Sequence, residues 1–261
     1  MLRAFFQTTL LKANNMKRIK LRLIQVALLS TISFAQPMAA EAALMTINNP
    51  SFESPVTAPA TFRGSQSAGP TGWTVYNSGA TNNQRFFGVW NPSTTNSFVN
   101  GAPDGANVGV VFLENTTNLA EAGLRQTLTS TLQLSMQYTL TVEVGNFSPA
   151  DPGPFNFTGF PGYRVELFAG STLIASDPNT LSPGEGVFAT SVVSFATGSS
   201  HANAGQAMSI RLVNLNGPGT EVNFDNVRLD ASPVPEPSTA VFGAIGMICA
   251  LLKRPRTSRN A

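Results

Sequence analysis

His201 is the single histidine, and it sits in Gly198-Ser199-Ser200-His201-Ala202-Asn203, a run of turn-forming residues that reads as a solvated loop. A Ser-His-Asp machine needs an oriented imidazole beside a nucleophile. The sequence holds neither a Gly-x-Ser-x-Gly elbow nor a His-containing metal motif. All four lysines (Lys12, Lys17, Lys20, Lys253) and the one cysteine, Cys249, lie near the ends, so nucleophiles of those types are missing from the middle. Glu114, Glu121, Glu143 and Glu166 are carboxylates of the kind glycosidases use, but no spacing pairs any two of them. On these grounds no catalytic residue is expected, and the chain reads as a non-enzyme. Aromatic residues are the better material for binding. Trp90, in Arg85-Phe86-Phe87-Gly88-Val89-Trp90-Asn91, together with Phe87 and Tyr76 forms the candidate surface for stacking on a sugar ring. Trp73 follows Gly72 at a strand entrance and is expected in the core. The segment from Asn146 to Gly162, with Phe147, Phe155, Phe157 and Phe160, is too proline-rich for a strand. Its rings need a dry place, and capping one end of the domain is the expected one, with a ligand-binding loop as the alternative.

The charges are segregated. Between Leu44 and Asp230 six arginines face twelve acids, a formal charge of −6 against +2 for the whole chain. The basic balance therefore belongs to the ends and does not point to nucleic acid, which needs a basic face on the folded part. Lys17, Arg18, Lys20 and Arg22 precede a mostly apolar run from Leu23 to Phe34, and Ala40-Glu41-Ala42 follows with small residues at Ala40 and Ala42. These are the three parts of a secretory signal spanning residues 1–42, with Met16 a plausible true start. At the other end, Val234-Pro235-Glu236-Pro237-Ser238 leads into an apolar run from Thr239 to Leu252 and then Lys253-Arg254-Pro255-Arg256. As a helix that run is roughly 21 Å long, short of a ~30 Å hydrocarbon core, which suits a transient hold in the inner membrane.

Pro-Glu-Pro, an apolar helix and an Arg-rich end resemble the PEP-CTERM sorting signal, the resemblance covering Pro233 to Arg259. It implies recognition by an exosortase, a membrane cysteine transpeptidase, with Pro235, Glu236 and Pro237 as recognition residues. It also implies export through the inner membrane of a bacterium that makes exopolysaccharide, to the cell surface or the medium. Residues 233–261 are the sorting signal on this reading, and residues 43–232 are the folded domain.

Period-two alternation recurs in that domain. Tyr138, Leu140, Val142 and Val144 alternate with polar residues, as do Tyr163, Val165 and Leu167, and again Met208, Ile210 and Leu212. Val108 to Leu113 is continuously apolar and reads as a central strand covered on both faces. Val222 and Phe224 share one parity while Val227 and Leu229 have the other, so a bulge is expected near Asp225-Asn226. About eight to ten short strands without a long helix predict an all-β, two-sheet antiparallel sandwich.

Ile47-Asn48-Asn49-Pro50-Ser51-Phe52-Glu53 at the start, Pro70-Thr71-Gly72-Trp73-Thr74 after it, and Val222-Asn223-Phe224-Asp225-Asn226-Val227-Arg228-Leu229 at the close resemble the galactose-binding-like jelly roll of many carbohydrate-binding modules. The resemblance implies first and last strands side by side. It also implies a structural calcium where the opening and closing segments meet, with Glu53, Asp225 and Asn48 among its ligands. Without a metal, Asp225 and Asn226 would cap the bulge while Glu53 accepted backbone donors. No other cofactor is expected. The function expected from both ends and middle is a non-catalytic surface or matrix protein associated with exopolysaccharide or another glycan. A self-associating biofilm or coat protein is the alternative, and a polysaccharide hydrolase the remaining one.

Overall fold

The structure is a computed structural model. It describes residues 42–77, 85–92, 96–114, 120–150 and 155–234. The expected secretory and sorting segments, with Ala40, Pro235, Glu236 and Pro237, lie outside the described residues, and Ala42 is the first residue inside them.

The described residues form strands and connecting loops without a helix. In chain order the strands are β1 (Ala43–Leu44), β2 (Thr61–Ser65), β3 (Thr74–Asn77), β4 (Arg85–Asn91), β5 (Val108–Leu113), β6 (Ala122–Thr131), β7 (Met136–Asn146), β8 (Tyr163–Ala169), β9 (Thr172–Asp177), β10 (Val187–Ala196), β11 (Ala207–Asn214) and β12 (Glu221–Pro233). They make two antiparallel sheets. The seven-stranded sheet runs β10-β7-β12-β5-β4-β2, with β1 added to β12, and the five-stranded sheet runs β3-β6-β11-β8-β9. The domain is a jelly-roll-like sandwich, and its first and last strands do lie side by side, Ala43 opposite Ala231.

Strand alternation builds the core. Tyr138, Leu140, Val142 and Val144 of β7 meet Val165 and Leu167 of β8 and Ile210 and Leu212 of β11 between the sheets, all fully or nearly fully buried. Trp73 is in that core, stacked on Phe52 at 5.3 Å with its Nε1 donating to the Asn49 carbonyl. The expected bulge is present: the β12–β7 register shifts between Asp225 and Arg228, and Asn226 takes φ 49°. That extra residue brings Val222, Phe224, Val227 and Leu229 all to the core side. A buried polar knot ties the sheets together, because Asp177 of β9 accepts from Tyr163 of β8 and from Ser191 of β10. Burial pushes the Asp177 carboxyl up. The donors Ser191, Tyr163 and Thr180 outweigh it and hold the group below its ordinary value.

Glu166 of β8 is nearly buried between two arginines, accepting from Arg164 Nε at 2.6 Å and from Arg211 Nε. Changing it to Ala should leave two cations facing each other. Because both guanidinium groups keep some contact with water, the loss expected is about 2 kcal/mol, below the full cost of breaking a buried pair. Urea titration of E166A reads this as a lowered midpoint at unchanged slope, and an unaltered midpoint would show that the pairs contribute nothing.

Candidate functional site

Part of the outward face of the seven-stranded sheet, around β5 and the start of β12, is not wet. Reading across β10, β7, β12, β5, β4 and β2, the residues Phe188, Gly145, Asn223, Val110, Gly88 and Gly64 lie in one cross-strand row pointing away from the core. The rings of Phe188 and Phe62 occupy the space that side chains at Gly145 and Gly64 would take, while at Gly88 the backbone of Arg63 and Gly64 comes close. A Cβ on Gly145 would stand 2.5 Å from Cε1 of Phe188, so that ring leans over the glycine. Phe98 lies 4.4 Å from Phe188 and 5.7 Å from Phe147. Phe147 then contacts Trp90 at 5.9 Å and Phe157 at 4.5 Å, and Phe155 lies 4.6 Å from Phe112. Phe98, Val108 and Phe147 form a buried cluster of their own, separate from the main core, with Trp90, Phe157 and Phe188 partly buried against it.

Among the described residues, Glu221 and Asn223 of β12 bring polar side chains into this apolar layer, as does Ser97 beside Trp90. Glu221 stands opposite Phe112, and Asn223 opposite Val110 and Gly145. Both are buried. Asn223 Nδ2 donates to Glu221 Oε1 at 2.9 Å and to the Gly109 carbonyl at 3.4 Å. Asn223 Oδ1 is buried with no hydrogen-bond partner among the described residues. A buried acceptor without a donor is costly, and this one belongs to an aromatic-lined site. The arrangement offers aromatic faces, one acceptor on Asn223 and a carboxyl group on Glu221 of the kind that transfers protons.

The residues expected to bind glycan are not brought together. Phe87 is fully buried in the main core, because its parity is opposite to that of Phe86 and Trp90. Tyr76 stands on the outward face of the other sheet, its hydroxyl donating to Glu121 at 3.0 Å. Trp90 alone of the three is in the aromatic layer, its Nε1 donating to Ser97. The Phe-rich segment does not cap an end of the sandwich as expected. Phe147, Phe155 and Phe157 cover the outer face of the sheet, and only Phe160 turns to the main core. His201 is in a turn, with Nδ1 accepting from the Asn203 N–H.

Glu53 and Asp225 do approach each other through the loop before β5. Glu53 Oε1 accepts from the N–H groups of Ala106 and Asn107, and Asp225 accepts from Asp104 N–H and Asn226 N–H, one on each oxygen. Asn48 pairs through its backbone with the Gln126 side chain. Both carboxylates thus receive backbone donors, and Glu53 Oε2 accepts from none among the described residues. Among the described residues no group of three or more His, Cys, Asp or Glu side chains is placed to hold a metal ion. Through these bonds Asp225 and Glu53 pin the loop before β5. Burial first, then the neighbouring Asp104 and Glu53 charges, push the Asp225 carboxyl up to about 8 against those N–H donors.

A family model for the HpiC1 cyclase, HpiC1-like, matches residues 43–230. The chain belongs to the HpiC1-like cyclase family. Three solved structures of the family agree. An apo cyclase from Fischerella sp. is 35% identical, covering 74% of this chain and 98% of that one, with a TM-score of 0.68. The Stig cyclase Fisc from Fischerella sp. TAU, in complex with (3Z)-3-(1-methyl-2-pyrrolidinylidene)-3H-indole, is 36% identical over 75% of this chain and all of that one, with a TM-score of 0.67. A Fischerella sp. TAU cyclase in complex with 4-(1H-indol-3-yl)butan-2-one is 36% identical over 74% and 99%, with a TM-score of 0.65. No curated protein matches the chain.

Membership in the HpiC1-like cyclases overturns the expectation of a non-catalytic surface, matrix or biofilm protein: the family is one of enzymes. The expected partners fall with it, since these cyclases hold small indole compounds and not an exosortase or a polysaccharide. The chemical reason for the error is specific. Without His, Cys or Lys nucleophiles the middle of the chain still holds carboxylic acids, and proton transfer from a carboxyl group needs no covalent intermediate.

Proposed function

We propose that this chain is a cyclase that closes a ring on an indole-bearing small molecule held in the aromatic layer over β12. The observation that carries the reading is the buried Glu221–Asn223 pair lying among the rings, with one amide oxygen left without a donor.

A flat indole matches the rings by its own π-face. Its N–H is the donor that Asn223 Oδ1 lacks, which would fix the orientation of the substrate on the sheet. Glu221 is the proton-handling group: delivery of its proton to an unsaturated carbon of the substrate leaves a cation that the chain can close upon. The faces of Trp90, Phe147 and Phe112 stabilise such a cation at close range. Loss of a proton from the closed product back to the carboxylate restores the enzyme, so atoms and charges balance without a co-reactant. Exclusion of water by the rings prevents hydroxide or water from capturing the cation.

Binding is the first test. Titration of the full chain with 4-(1H-indol-3-yl)butan-2-one, followed by calorimetry, should saturate. The F147A variant should bind about tenfold more weakly or worse, from lost ring contacts worth roughly 1–2 kcal/mol. Failure to saturate with the native chain, or equal affinity in F147A, would remove the aromatic layer as the site.

A further inference from the structure

The opposite side of the sandwich carries a second site of different chemistry. Register places Arg125 of β6, Arg211 of β11 and Glu166 of β8 in one row on the outward face of the five-stranded sheet. Like charges directly opposite on neighbouring strands are unfavourable, so the Arg125–Arg211 pair needs an explanation. Glu166 does not supply a full one. It takes only Nε of Arg211 and is shared with Arg164. The Arg211 guanidinium lies over the ring of Tyr76, 3.9 Å from its centroid, and over that of Phe168, 4.6 Å from its centroid. Its two Nη groups make no hydrogen bond among the described residues, and neither does the exposed Arg125 guanidinium. Both arginines line a groove of about 370 Å³ with Phe168, Gly170 and Ser171. In the next row of the same face, Ser209 carries a buried hydroxyl without a partner.

We propose that this groove binds a small anion through its carboxylate or phosphate group, at a site separate from the aromatic layer. Arg211 is already immobilised, so little side-chain freedom is lost when its Nη pair engages two oxygens of one anion. Arg125 closes on the same oxygens from the neighbouring strand, and the Ser171 hydroxyl is a further donor at the rim. The domain around it is acidic, with a charge of −6 between Leu44 and Asp230, so general attraction of anions to the surface does not explain binding here. An arylcarboxylate gains additional contact with Phe168, whereas inorganic phosphate gains only the charge contacts.

Titration of the full chain in low salt, followed by two-dimensional amide NMR, separates the sources: one arm uses inorganic phosphate, the other benzoate. The expected result is saturable shifts at Gly170, Ser171 and Arg125 in the millimolar range or tighter for at least one anion. Tighter binding of benzoate points to an organic carboxylate, and tighter binding of phosphate to a phosphate group. R125A should weaken binding about tenfold, with a melting temperature no lower than that of the native chain because the like-charge contact is relieved. R125K should recover part of the affinity. Shifts that fail to saturate, that map to other residues, or that persist unchanged in R125A would overturn the site.

Discussion

E221Q should close rings at least about 10²-fold more slowly than the native chain while still binding 4-(1H-indol-3-yl)butan-2-one. Gln keeps the size of Glu221 and retains an oxygen able to accept the Asn223 Nδ2 hydrogen bond seen at 2.9 Å, so the layer stays assembled. What it loses is a transferable proton. If Glu221 only propped Asn223 in place, the amide would substitute for it and turnover would barely change. The measurement is conversion of the open-chain substrate of a Fischerella cyclase, quantified by mass spectrometry in single-turnover conditions, where chemistry and binding separate. A rate within about threefold of native, in a variant that still binds the probe, would move the acid elsewhere. N223A should act differently, weakening binding of indole N–H ligands more than binding of their N-methylated analogues, since only the former lose a donor–acceptor pair.

Stability should fall as pH rises from about 4 to about 8. The group responsible is Asp225, fully buried and pushed up to about 8 by burial and by the nearby Asp104 and Glu53 charges. In the unfolded chain it ionises near its ordinary value of 3.8, so between the two values the folded state holds a proton that the unfolded state has released. The stabilisation is therefore complete below the unfolded value and is lost progressively up to the folded one. Across the whole window it amounts to something on the order of 5 kcal/mol. Asp177 and Glu121 run the other way. Both are held below their ordinary values, for burial raises them but the hydrogen bonds they accept prevail. Their contribution is present above the unfolded value and disappears as pH falls through the lowered one. Urea midpoints taken from pH 3 to 9 should thus peak in mildly acid solution and decline toward 8, and D225N should flatten the alkaline limb. A native chain as stable at pH 8 as at pH 5 would show that Asp225 is ionised in the fold.

Much of the site was written in the sequence as separate hints. The continuous apolar run Val108 to Leu113 announced a strand dry on both faces, and it is buried at every residue. The Phe-rich segment announced rings in need of cover. What joined them was contact over a long span of chain: Phe112 meets Phe155 and Phe157, and Phe147 meets Trp90. No local pattern encodes such pairs. Glu221 and Asn223 were harder still, because strand alternation with Val222 and Phe224 assigns them to the water side. Both do stand on that outer face, and its covering by loops put them in the dark.

Local stereochemistry determined the class of this protein. Period-two patterning can bury one face only as a strand, and the parity change after Asp225 can be reconciled only by a bulge. Both were decided within a few residues, and both are present. Which outer face the rings came to cover was decided by tertiary structure alone. It depended on strands far apart in sequence meeting in register, and on Phe98, Phe147, Phe155 and Phe157 from distant parts of the chain packing against Phe188, Trp90 and Phe112. A side chain's parity is local, but its solvent exposure depends on whatever the rest of the chain lays over it.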